Sequence, residues 1–212
     1  MSILRGIVVM GMMVLAIPSA WGANTVVVDS KTVCAGAKGV TIAVKITNDR
    51  ELRHVTVPLE IRSVSGGAFV TSLKMSWSDR MPGGRKTPLG DNGFANQYYV
   101  RDCKCGKDQV PGYAKIVFSD TLAHPVKGSP TGLLFSRFRM MGENLKPGQD
   151  STGSFLLTVD VGVKSGVIEV DTACVCPSHT LMFVDVATDP EPIFPKFTKG
   201  TITVEACADK GK

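Results

Sequence analysis

The chain has 212 residues, 43% of them hydrophobic and 20% charged, which supplies a sizeable core and argues against a disordered, heavily solvated chain. Lys and Arg (24) exceed Asp and Glu (19) for a net charge of +5, too slight and too dispersed to mark a nucleic-acid binder. Glycine (22) and proline (12) are modestly abundant, as in turn-rich β proteins.

Residues 1–22 read as a secretory signal peptide. A short basic start ends at Arg5, an apolar run extends from Gly6 to Ile17, and Pro18-Ser19 leads into Ala20-Trp21-Gly22, whose small residues suit a cleavage site. The run falls short of the about 20 residues that a membrane-spanning helix needs. Cleavage after Gly22 is therefore expected, with no lipid anchor because no cysteine follows the run. Residues 23–212 hold no second apolar run and are expected to form one domain, secreted to the periplasm or the extracellular space without a membrane span.

Period-two alternation dominates the rest, and no stretch carries a helical stripe. Val40, Ile42, Val44 and Ile46 alternate with Thr41, Ala43, Lys45 and Thr47, a strand with one buried face. Val55, Val57, Leu59 and Ile61 repeat the pattern with Pro58 on the opposite face, and a proline that cannot donate to a ladder predicts an edge strand or a bulge. Phe69, Thr71, Leu73, Met75 and Trp77 continue one face of a third strand. Residues 78–112 break the rhythm with Pro82-Gly83-Gly84, Gly90-Asp91-Asn92-Gly93 and Pro111-Gly112, and read as a long irregular loop with at most one short strand around Asn96–Val100. Further strands are predicted over 113–119, 132–140, 154–161, 166–170, 180–187 and 199–205. Short strands between turn clusters define an all-β chain, a single antiparallel sandwich.

Six cysteines, Cys34, Cys103, Cys105, Cys174, Cys176 and Cys207, are an even set in a chain expected to be exported, so disulfides are the expectation. Two residues apart on a strand share a face, so Cys103-Lys-Cys105 and Cys174-Val-Cys176 suit a double staple, leaving Cys34 and Cys207 for each other. That is one of fifteen pairings. A zinc site formed by the four paired thiols with His179 is the rival, and the tight Cys-x-Cys spacing counts against it.

No G-x-S-x-G, H-E-x-x-H, P-loop, G-x-G-x-x-G or EF-hand pattern occurs, and the three histidines, His54, His124 and His179, sit where surface or capping roles suffice. No catalytic residue, cofactor or metal is therefore expected. Adjacent Tyr98 and Tyr99 must point to opposite faces of a strand, one into the core and the other to a surface suited to stacking. Together with Arg80, Arg85 and Lys86 they form the candidate binding surface.

The stretch Gly39-Val-Thr-Ile-Ala-Val-Lys-Ile-Thr-Asn48, followed by Val55–Ile61 and Gly66–Leu73, resembles the opening of cohesin-type β-sandwiches, and Gly200–Val204 resembles their closing strand. The resemblance implies a cohesin-like or jelly-roll-like sandwich. The cysteine pairs and the 78–112 segment depart from cellulosomal cohesins, so no dockerin-contacting residue is carried over. The expectation is an exported, non-catalytic binding or cell-surface interaction module, disulfide-stapled, with a protein or glycan partner at the cell surface. A structural subunit assembled through edge strands and a glycan-acting hydrolase are the rival readings.

Overall fold

A computed structural model describes residues 24–77, 94–105, 110–118, 121–123, 131–138, 144–149, 154–173, 180–187 and 191–207. Its strands in chain order are β1 (Thr25–Val28), β2 (Lys31–Cys34), β3 (Val40–Asn48), β4 (Leu52–Ser65), β5 (Val70–Trp77) and β6 (Phe94–Cys105). They continue as β7 (Val110–Phe118), β8 (Thr121–Ala123), β9 (Thr131–Phe138), β10 (Gly148–Gln149) and β11 (Phe155–Val161). The last are β12 (Gly166–Thr172), β13 (Met182–Asp185), β14 (Pro192–Ile193), β15 (Lys196–Thr198) and β16 (Gly200–Glu205). Among the described residues there is no helix, and the all-β sandwich expected from the alternation is what forms.

Two sheets face each other. Sheet A runs β15-β1-β3-β11-β5-β8, with β10 also on β3; sheet B runs β2-β16-β12-β4-β9-β6-β7, with β13 also on β4 and β14 on β13. The core lies between them. Val26, Ile42, Val44, Ile46, Leu73, Met75, Phe155 and Leu157 come from sheet A, and Val55, Val57, Leu59, Ile168, Phe183 and Ile202 from sheet B. Each set occupies alternate strand positions, which is why one face of each strand is apolar.

Most pairing is antiparallel, but one side closes with parallel pairs. The N-terminal strand joins sheet A as β1 beside β15, then sheet B as β2 beside β16. The C-terminal strand makes the same switch at Lys199, where Gly200 lies so close to the Asp29 carbonyl that a Cβ would sit 2.5 Å from it. The Ser30 hydroxyl accepts from the Thr201 backbone N–H at 3.0 Å and secures the crossing. Beyond it a Cys34–Cys207 disulfide joins the two terminal strands, with Cα atoms 5.3 Å apart.

Three strand expectations change. β4 is not an edge strand: β9 pairs one side, and β12 and β13 share the other. β13 pairs β4 up to Thr56 and β12 from Leu59, so the missing Pro58 N–H falls at the junction between two neighbours. The Pro58 carbonyl on that side is used, accepting from the Ala173 N–H at 3.1 Å.

Within 78–112, β6 spans Phe94–Cys105 and β7 begins at Val110, so this stretch is not one irregular loop. Register shifts at Val100/Arg101 and Arg101/Cys103 break the period there, and the polar residues of Asn96-Gln97 and Arg101-Asp102 hide the alternation. In β5, a shift opposite Asp160/Val161 moves the buried face from Val70 to Leu73 and Met75. Phe69 and Thr71 are half-buried, contrary to an unbroken Phe69–Trp77 face.

Candidate functional site

The outer face of sheet B, opposite the core, gathers the described charge network. In β4, Val55, Val57, Leu59 and Ile61 turn inward, so Thr56, Pro58, Glu60 and Arg62 turn outward. In β12, Ile168 and Val170 turn inward, leaving Glu169 and Asp171 outward. The register sets Glu169 directly opposite Arg62 and Asp171 directly opposite Glu60. Two carboxylates face to face repel, and Arg62 resolves this by bridging them.

The Arg62 guanidinium donates from Nε to Glu169 Oε1 at 3.1 Å and from Nη1 to Glu60 Oε1 at 3.3 Å, and Nη2 contacts the Glu169 carboxylate as well. Asp171 Oδ2 lies 3.8 Å from the same Nη2. Lys199, at the sheet-switching point of the last strand, donates to the second Glu169 oxygen at 2.6 Å. A planar fork is what lets one cation serve three acids.

Burial and charge set the titration. The Glu169 side chain is 9% exposed, against 43% for Arg62 and 53% for Lys199. The Lys199 hydrogen bond holds the Glu169 carboxyl below the usual carboxylate range against desolvation, with Arg62 adding to it. Arg62 and Lys199 are both raised, each chiefly by its hydrogen bond to Glu169. Glu169 is thus fixed in its ionised form, the reverse of a general acid, which needs a raised carboxyl pKa.

Farther along the same face, Thr56 Oγ1 and His54 Nε2 are 2.7 Å apart. Thr56, Pro58 and Glu60 are buried although they face away from the core.

The register divides the two tyrosines. Tyr98 pairs Leu133, which pairs Leu59, so its position belongs to the core face. Tyr99 pairs Gly132, which pairs Glu60, so its position belongs to the outer face, with a residue lacking a side chain between it and the charge network. Cys103 and Cys105 take positions on β6, opposite Gly112 and Val110. Arg80, Arg85, Lys86, Cys174, Cys176 and His179 lie outside the described residues, as do residues 1–23. Among the described residues no three His, Cys, Asp or Glu side chains are placed to hold a metal ion.

Sequence reading missed the Glu60–Arg62–Glu169–Asp171–Lys199 network. Its local signal is present as Glu60-Ile-Arg62 and Glu169-Val-Asp171, charges two apart on a strand with an apolar residue between. Only the pairing of β12 with β4, more than a hundred residues apart in the chain, brings the two together.

The architecture places the chain among cohesin-like β-sandwiches. The seventh ScaB type I cohesin of Pseudobacteroides cellulosolvens is similar at 17% identity and TM-score 0.52, over 89% of this chain and 96% of that one. A Clostridium thermocellum cohesin, in a complex with a dockerin, matches at 17% identity and TM-score 0.48, over 88% and 97%. A non-cellulosomal cohesin of the archaeon Archaeoglobus fulgidus matches at 11% and 0.43, over 87% and 93%. At these identities the likeness is one of fold, as the Gly39–Leu73 resemblance implies. No protein-family model matches the chain, and no curated protein does.

Proposed function

We propose that this chain is an exported, non-catalytic protein-binding module that presents the outer face of sheet B to its partner. The observation that carries this is the register of sheet B. From the buried Glu60 and Pro58 the outer rows continue through Gly132, Tyr99 and Ile116 and through Leu134, Gln97 and Phe118. Leu133-Leu134-Phe135 in β9 and Ile116-Val117-Phe118 in β7 are apolar at successive positions, hence on both faces. A sheet with one face in water alternates instead. An apolar strip beside a fixed set of charges on rigid strands suits a protein surface, the charges setting orientation and the apolar positions affinity.

Export is supported by the leader-like start and by a disulfide between the terminal strands. A protein partner also accords with the cohesin-like neighbours.

The test is site-specific photocrosslinking on intact cells, with a benzophenone amino acid at Tyr99 or at Thr158 on the outer face of sheet A. A single protein adduct from position 99 and none from 158, with Tyr99→Ala weakening its binding about 10-fold or more, is the expected result. Adducts from 158 alone, a glycan-only ligand, or turnover of a glycan panel would overturn the reading.

A further inference from the structure

Sheet edges are where a β protein can pair with another chain, and three of the edges here are short. β15 has three residues, β8 three and β2 four, and β15 and β2 both lie on the side where the terminal strands switch sheets. The β7 edge is different. β7 is nine residues long, about 30 Å at strand spacing, and among the described residues no strand pairs its outer side.

β7 also belongs to a ribbon that runs past β9. β9 pairs β6 over Phe94–Tyr99, so beyond Tyr99 the segment Val100–Cys105 pairs, among the described residues, with β7. A two-stranded ribbon is marginal in water, and a third strand changes that. Within Val110–Phe118, Pro111 and the register shifts opposite Val100–Cys103 blunt one end of the edge, while Lys115–Phe118, in regular register with β6, carries one charge and no proline against edge-to-edge pairing.

We propose that β7 pairs antiparallel with β7 of a second copy of this chain, about a two-fold axis, joining sheet B of the two protomers. An isologous contact extends both ribbons at once, each strand serving as the other's third. Every register except the one that opposes the two Lys115 residues is free of like-charge pairs. The contact uses main-chain hydrogen bonds along an edge and leaves the outer face around Glu169 for a different partner.

Sedimentation equilibrium and concentration-dependent amide exchange test this together. The expected result is a dimer in which alternate β7 amides, those not donating to β6, gain protection as the dimer forms. Two single variants, Lys115→Pro and Ile116→Pro, separate pairing from folding. Successive strand amides point to opposite sides, so one of the two removes an outward donor and leaves the β6 ladder whole. That variant should keep the wild-type circular dichroism and raise the dimer dissociation constant about 10-fold or more. Wild-type protein that stays monomeric to ~1 mM, a dimer whose β7 amides exchange as in the monomer, or a folded proline pair that dimerises unchanged would each overturn the proposal. If neither variant folds, the wild-type amide pattern decides.

Discussion

Replacing Cys34 and Cys207 together with alanine removes a cross-link between residues 173 apart in sequence. In the chain-entropy treatment a loop of that length restricts the unfolded ensemble by about 5 kcal/mol. The value is a ceiling, since any further disulfide within the loop shortens the segment released. The folded state loses little, because β2 stays paired with β16 over Ile202–Glu205 and the Ala35 N–H donates to the Glu205 carbonyl at 2.8 Å. The variant should therefore keep its native far-ultraviolet spectrum while its urea midpoint falls. In a domain of this size about 5 kcal/mol corresponds to a drop of roughly 10 to 20 °C in Tm. Stopped-flow kinetics locate the effect: slower refolding with nearly constant unfolding is expected if the bond acts on the unfolded chain. A loss below ~1 kcal/mol would refute the reasoning. So would a loss expressed chiefly as faster unfolding with exposed β2 amides, since the bond would then be holding the native edge together.

Leu59 is fully buried, and Leu59→Ala should cost about 3 to 5 kcal/mol in chemical denaturation, whereas Val163→Ser, at a residue 81% exposed, should stay within about 0.5 kcal/mol. At Gly166, with φ +146, a Cβ would lie 2.1 Å from the Ser65 carbonyl oxygen, so Gly166→Ala should destabilise by about 2 to 3 kcal/mol or more. Gly39→Ala, at φ +64 in open space, should cost only about 1 to 2 kcal/mol, which equilibrium unfolding of the two variants can compare. The Glu169 pKa is lower folded than unfolded, so the stability it adds is present above the unfolded carboxylate value and is lost as pH falls through the folded one. Unfolding free energies of wild type and Glu169→Gln, followed from pH ~7 to ~3, should therefore converge on the acid side of ~4. Parallel curves would show that Glu169 carries no linkage. For Lys199, raised in the fold, the contribution is present below its unfolded value and lost as pH rises through the folded one, so Lys199→Met should flatten the alkaline limb.

The strands Val40–Asn48, Val55–Ile61 and Phe155–Val161 were legible from alternation, because a residue facing the core must be apolar whatever strand it pairs with. The terminal pair β1 and β2 was not, since four-residue segments such as Thr25–Val28 and Lys31–Cys34 are too short to show a period. Of β6 only Asn96–Val100 shows in the sequence, because the register shifts around Arg101 scramble the pattern beyond it. Tyr98 and Tyr99 could be assigned to opposite faces from adjacency alone, but which one faces the core depended on Leu59 and Leu133. Alternation along one strand reports burial, and burial is local information. It thus determined an all-β sandwich with its inward residues. Which strands become neighbours is decided by long-range register. Only the tertiary structure could bring Glu60 and Arg62 against Glu169 and Asp171, carry Lys199 to the same carboxylate, and leave the long β7 edge without a partner among the described strands. Charges two apart on a strand look solvated until another strand, distant in the chain, is laid beside them.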